Sequence, residues 1–175
     1  MIVHWVCPTC GFTWTGRVAD RARKGRGCPV CSKHVLWRGH NDLESCNPHL
    51  ARQWDYDKNS ILPSDVTQKS SKLVWWKCPE CNGSWRATVT NRANGTGCPY
   101  CSGKKVLKGF NDLQTLDPNL ASEWHPTLNA FSSDCFTRGS NKFVWWQCSS
   151  CGYEWQESVN SRSSKRVYPN CKKRR

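Results

Sequence analysis

The chain has 175 residues, 37% of them hydrophobic, and that fraction leans on 13 Cys and 11 Trp. With 26 Lys and Arg against 13 Asp and Glu, its formal charge is +13. These figures exclude an ordinary aliphatic core, and no apolar run approaches the roughly 18 residues of a membrane-spanning helix. Residues Met1 to Val6 lack the basic region and long apolar stretch of a secretory signal. An intracellular protein is therefore expected, in the cytoplasm or nucleus, with a virus particle as a further setting.

In chain order, the first feature is Cys7-Pro-Thr-Cys10, followed by Cys28-Pro-Val-Cys31. Two Cys-x-x-Cys turns at this separation match a four-thiolate zinc site, because each turn aims two sulfurs at one ion and a tetrahedron needs two turns. Next comes a spacer in which Asn47-Pro48 reads as an N-cap followed by a proline at the first helical position. Leu50 and Trp54 share one helical face, which predicts a short helix over roughly 48–55. The stretch from about 56 to 72 is rich in Ser, Asn, Asp and Lys and reads as irregular.

Leu73 to Lys77 then reads as a strand entering the turn Cys78-Pro-Glu-Cys81. Trp85, Ala87 and Val89 alternate with Arg86 and Thr88 and read as a half-buried strand leaving it. Cys98-Pro-Tyr-Cys101 completes a second four-thiolate set. A second spacer repeats the capping pattern at Asp117-Pro118, with a helix expected over roughly 118–125. Cys148-Ser-Ser-Cys151 opens a third set, in which Tyr153, Trp155 and Val159 repeat the buried face and Tyr168-Pro-Asn-Cys171 closes it.

Shifting the chain by about 70 residues superposes much of it, so it is an internal repeat. The reading is 1–38 as a first, N-terminally shortened ribbon, 39–108 as spacer plus second ribbon, and 109–175 as spacer plus a third, degenerate ribbon with a basic tail. Each unit is too small for a self-sufficient core, and metal binding would supply folding free energy directly. Most Trp fall at repeat positions, as expected of core residues. Trp75 and Trp145 differ, because adjacent residues on a strand point to opposite faces. Cys46 and Cys135 are not repeat features.

The pattern "NDL…P.LA..W" (41–54 and 111–124), with "VWWKCPEC…W…V..R…GCPYC" (74–101) and its copy at 144–171, resembles a known family. This is the probable zinc-ribbon, or treble-clef zinc finger, domain found in tandem in bacteria, phages and large DNA viruses. The resemblance implies a small metal-stabilised α+β fold, made of tandem β-hairpin modules joined by spacers with one short helix each. It also implies an association with nucleic acid. The metal ligands expected are Cys7, Cys10, Cys28, Cys31, Cys78, Cys81, Cys98, Cys101, Cys148, Cys151 and Cys171, for two Zn2+ ions and a third site with three cysteines. Tyr168 stands where the pattern has Cys. That third site either borrows a ligand, with His125 and Cys135 nearest in sequence, or holds no metal.

Charge is segregated between ribbons and spacers. Arg17, Arg21, Arg23, Lys24 and Arg26 cluster in the first ribbon, Arg92, Lys104 and Lys105 in the second, and Arg162, Lys165 and Arg166 in the third. The spacer 110–135 has acids but no Lys or Arg. A Zn2+ held by four thiolates carries net −2, so two such sites lower +13 to +9. Phosphate affinity is expected of that balance. Arg21, Arg92 and Arg162 hold equivalent places, and each reads either as a phosphate contact or as a brace within its hairpin. The sequence carries no P-loop, nucleophile elbow or His-Glu-x-x-His motif. His40-Asn41 resembles an HNH nuclease pair, but Phe110 stands at the matching position of the second repeat. The function expected is a non-enzymatic zinc-binding repeat protein that binds nucleic acid, DNA foremost, mainly through phosphates. The alternative is a structural or adaptor protein that meets an acidic protein surface in a large assembly such as a virus particle. An HNH-like nuclease ranks below both, and neither a membrane nor a small-molecule substrate is expected as partner.

Overall fold

The computed structural model describes residues 1–164. In chain order the elements are β1 (Ile2–Val6), β2 (Thr13–Arg17), α1 (Val18–Lys24), α2 (Leu43–Cys46), α3 (Pro48–Ala51), β3 (Leu73–Lys77), β4 (Ser84–Thr88), α4 (Val89–Ala93), α5 (Leu113–Leu116), α6 (Pro118–Ala121), β5 (Phe143–Gln147), β6 (Glu154–Ser158) and α7 (Val159–Ser164). The strands pair as antiparallel hairpins β1–β2, β3–β4 and β5–β6, and their registers place Trp5 opposite Trp14, Trp76 opposite Trp85 and Trp146 opposite Trp155. The chain divides into two compact units, Met1–Thr96 and Gly97–Arg175.

Two expectations need correction. The strands leaving the knuckles stop at Thr88 and Ser158, and the buried Val89 and Val159 begin helices. The reason is capping: Thr88 Oγ1 accepts the Asn91 amide, and Ser158 Oγ accepts that of Ser161, each at 3.2 Å. A hydroxyl at this point satisfies an amide that a helix start leaves without a partner. The spacer helices expected over 48–55 and 118–125 are shorter and double: α2 precedes α3, and α5 precedes α6. Asn47 and Asp117 interrupt each pair with extended φ near −148°, while their side chains cap the helix that follows by accepting from Leu50 N and Leu120 N. The capping itself is as the sequence predicts. Pro48 and Pro118, lacking an N–H, sit where the helix needs none.

After α3 the chain straightens and lies along β3. Asp55 N donates to Trp75 O and Lys77 N donates to Gln53 O, and the second unit repeats this with His125 N to Trp145 O and Gln147 N to Glu123 O. Trp54 meets Trp76 edge-on with ring centroids 5.3 Å apart, as Trp124 meets Trp146. The spacers are therefore a third partial strand of each following hairpin. Trp76 and Trp146 are fully enclosed, and Trp54 and Trp85 are buried. In the second unit the core is Leu113, Leu120, Val144, Trp146 and Val159, with Trp124, Phe136 and Trp155 against it. The first hairpin instead packs Phe12, Trp14 and Trp37 around Cys7, Cys28 and Val30.

The "NDL" motif ties each spacer to the turn before it. Asn41 accepts from Trp37 N and donates to Val30 O and Val35 O, while Asn111 treats Leu107, Tyr100 and Lys105 in the same way. Asp42 accepts from Gly39 N, Ser45 N and Ser45 Oγ at 2.5–2.9 Å. Burial alone would raise its pKa, but these donors outweigh it and hold the Asp42 carboxyl below the ordinary value, and Asp112 matches it.

Candidate metal centres

Each Cys-x-x-Cys turn between strands is built the same way. The first cysteine's amide donates across the turn, from Cys7 to Phe12, Cys78 to Gly83 and Cys148 to Tyr153, and its carbonyl accepts from Gly11, Asn82 or Gly152. Those three residues take positive φ of 76°, 54° and 73°. Gly adopts such angles without cost and Asn tolerates them better than most residues. The second turns close by Ser32 N to Cys28 O and Ser102 N to Cys98 O, with Lys33 and Gly103 at φ 63° and 70°.

These turns bring together the predicted ligands of the first two modules. The sulfurs of Cys7, Cys10, Cys28 and Cys31 lie within 4.8 Å of one another, and so do those of Cys78, Cys81, Cys98 and Cys101. In the first set Cys7 to Cys31 and Cys10 to Cys28 are each 3.6 Å apart. A disulfide requires about 2.0 Å. Zinc at about 2.3 Å from each sulfur of a tetrahedron sets neighbouring sulfurs about 3.8 Å apart. The geometry fits the ion and not a pair of disulfides.

The electrostatics of the cluster agree. The Cys10 amide, assisted by that of Thr9, pulls Cys7 down to about 6 although burial opposes it. The neighbouring thiols, Cys10 first and then Cys7, push Cys31 up to about 12. Four thiols this close resist joint ionisation, and a divalent cation at their centre removes the conflict.

The third module keeps its first knuckle, with Cys148 buried and Cys151 exposed. Cys171 and Tyr168 lie outside the described residues. His125 is buried, with Nδ1 accepting from the amides of Thr127 and Leu128 and Nε2 3.0 Å from Glu154 Oε1, though not aligned for a hydrogen bond. Cys135 sits beside Ser132 and Asp134. Neither joins a cluster of metal-binding side chains among the described residues.

The cations expected to meet nucleic acid separate into two groups. Arg17, Arg23, Lys24, Arg26, Lys104 and Lys105 are exposed, with Lys24 3.3 Å from Asp20. Arg92 and Arg162 are buried and are withdrawn from the phosphate-contacting set. Arg92 donates to Gln53 Oε1 and Thr96 O, and Arg162 pairs with Glu123. Arg92 also lies 5.2 Å from both Trp76 and Trp85, and Arg162 lies 5.8 Å from Trp155. Of the two readings open for this position, the brace is the one these contacts support. Arg21 is half-buried, 4.4 Å from Trp5 and 5.5 Å from Trp14. Lys165 and Arg166 lie outside the described residues. The Asn41 amide is spent on backbone groups and the His40 ring rests 4.6 Å from Trp37.

Sequence reasoning missed this Trp–Trp–Arg stack. Its signal was present: the interval from Trp5 to Trp14 equals that from Trp76 to Trp85 and from Trp146 to Trp155, and an Arg follows each pair seven residues on.

Tandem hairpins, each with a cysteine turn at its tip and a short helix at its exit, and two four-thiol clusters define an array of small metal-stabilised modules of the zinc-finger class. The chain belongs to the family described as the probable treble clef zinc finger domain, which matches residues 2–34, 50–104 and 120–174. A search of curated proteins finds no match to the chain. No helix among the described residues is long and apolar enough to cross a membrane.

Proposed function

We propose that the chain is a non-enzymatic array that holds Zn2+ in its cysteine clusters and binds nucleic acid, DNA foremost, mainly through phosphates. The observation that carries this reading is the exposure of Arg17, Arg23, Lys24, Arg26, Lys104 and Lys105, all on the ribbons beside the cysteine turns. Exposed cations on a scaffold that keeps net positive charge after metal loading release counterions from a phosphate backbone, with no sequence reading required. The commitment of Asn41 and Asn111 to backbone bonds supports the non-enzymatic part, because an HNH-type site needs that side chain for chemistry.

The test is an electrophoretic shift assay on the zinc-loaded chain across salt. Affinity should fall steeply from 50 to 200 mM salt. Replacing Arg23, Lys24 and Arg26 together by Gln should lower it at every DNA sequence and reduce the slope of log K against log salt by about 2–3. No shift of DNA or RNA at low salt would remove the reading.

A second reading is an adaptor in a large assembly, a virus particle among them. One patch favours it: Phe143 and Phe131 are 74% and 65% exposed beside Leu128 and Trp145. Contiguous exposed aromatic surface marks protein contact more often than chance.

A further inference from the structure

A cross-strand Trp pair with the helix-borne Arg over one or both rings occurs in every described hairpin, but only two of them carry a spacer segment across it. On β3 the segment Gln53–Asp55 supplies four things: backbone bonds to Trp75 O and Lys77 N, the Trp54 edge against Trp76, the Gln53 amide oxygen for Arg92, and Asp55 Oδ2 for the Ser84 hydroxyl at 2.6 Å. On β5, Glu123, Trp124 and His125 supply the same set, with Glu123 meeting Arg162 and His125 meeting Glu154.

Register carries these partners onto the first hairpin. His4 corresponds to Trp75, Val6 to Lys77, Trp5 to Trp76, Thr13 to Ser84 and Arg21 to Arg92. Trp75 and Lys77 turn their backbone groups away from β4, so His4 and Val6 turn theirs away from β2. Among the described residues nothing lies across them. Val6 is 64% exposed, Trp5 is half-exposed where Trp76 is fully enclosed, and among the described residues the Arg21 guanidinium meets the Trp5 and Trp14 rings rather than an acceptor. Strand edges of this kind are natural templates for an added strand.

We propose that the outer edge of β1, with Trp5, Thr13 and Arg21, is a docking site for a further segment of spacer type. The occupant is defined by the two segments seated elsewhere. It reads Pro-x-Leu-Ala-x-(Gln/Glu)-Trp, as in Pro48–Trp54 and Pro118–Trp124. Both spacers of this chain are already engaged on their own hairpins, so the docked segment is not one of them. The residue after its Trp is specified too. A hydroxyl faces Asp at Ser84, whereas a carboxylate faces His at Glu154. Thr13 offers a hydroxyl, so the site selects Glu-Trp-Asp over Glu-Trp-His.

The experiment uses the full zinc-loaded chain and a fluorescent peptide copying residues 116–126, with His at the position of His125 replaced by Asp. Saturable binding by anisotropy is expected, with the amide of Val6 newly protected from exchange. Binding should be lost when the peptide's Trp is replaced by Ala, and should weaken several-fold with the His-bearing peptide. Arg21→Ala should weaken it about tenfold or more, the effect of removing a charged hydrogen-bond partner. Val6→Pro should abolish it while leaving metal content and circular dichroism unchanged, since an edge strand tolerates Pro. No saturable binding, or binding indifferent to Arg21→Ala and Val6→Pro, overturns the proposal. So does protection appearing at residues 75–77 or 145–147, which would mean exchange with a resident spacer. Self-association of the chain alone with Val6 protected also overturns it, by making a second copy the occupant.

Discussion

The first and second hairpins share their knuckles, their Trp pair and their helix-borne Arg, yet they are held together differently. In the second, Trp76 is sealed by Trp54 and Arg92 is enclosed by Gln53 and Thr96. In the first, Trp5 is half-exposed and Arg21 lies over rings alone, while Phe12 and Trp37 gather on the cysteine side, with ring centroids 5.3 Å apart. Where a spacer is present, the hairpin is stabilised from its edge. Where it is absent, the aromatic packing moves to the metal cluster. The spacers are thus structural halves of the modules they precede.

This comparison predicts that metal removal acts unequally, and this is the largest effect expected. Structural Zn2+ contributes about 10 kcal/mol or more to a module that cannot fold without it. Chelation, or Cys7→Ser, should melt the first hairpin entirely, read as loss of exchange protection over β1 and β2. Cys98→Ser should unfold the turns of the second cluster, while the Trp54–Trp76 contact and the bond from Lys77 N to Gln53 O keep residual protection in β3. Equal collapse of both hairpins on chelation would mean that the spacer contributes little.

The arginine position gives the next comparison. Arg162→Ala breaks a buried ion pair by removing the guanidinium that meets Glu123 and should cost about 3–5 kcal/mol. Arg92→Ala leaves a neutral amide and a carbonyl, at about 1–3 kcal/mol. Arg21→Ala removes only half-exposed stacking on Trp and should cost about 0.5–1 kcal/mol. Thermal or urea unfolding of the metal-loaded variants checks the order, and an Arg21 loss as large as that of Arg162 would contradict it.

These residues also show where the sequence was legible. The cysteine spacing carried the metal sites because tetrahedral geometry leaves few ways to use two such turns. Asn47-Pro48 announced a helix start because capping is local. The role of Arg92 was not legible, since its acceptor Gln53 lies 39 residues upstream and an Arg beside a Gly-rich turn reads equally as a phosphate contact. The strand through Val89 failed for a related reason. Alternation continues across the strand's end, and only the Thr88 cap marks the change of period.

A smaller effect separates the spacer junction from the hairpins. Asp42→Ala removes the acceptor of Gly39 N, Ser45 N and Ser45 Oγ and should cost about 1–2 kcal/mol. Its pKa is lowered on folding, so its stabilisation is complete above the ordinary value of 3.8 and is lost as pH falls through the folded value. Protons displace thiolate-bound metal as well. The Asp42 contribution should therefore be read as the difference between wild type and Asp42→Ala across acid pH, and that difference should shrink as pH drops.

The smallest effect tests whether the two spacer contacts are interchangeable solutions of one problem. Asp55 accepts from the Ser84 hydroxyl at 2.6 Å, and His125 stands 3.0 Å from Glu154 at the matching place. Asp55→His alone removes a charge-assisted acceptor from Ser84 and should cost about 1–2 kcal/mol. Ser84→Glu alone sets a second carboxylate against Asp55 and should destabilise by a similar amount. The double variant recreates the pair of the third hairpin. It should recover about 1 kcal/mol relative to the sum of the single changes, the coupling expected of residues in contact. Strict additivity would mean that residues 55 and 84 contribute no coupling, and that the backbone bonds, the Trp54–Trp76 edge and the Arg92–Gln53 bond hold the spacer to its hairpin.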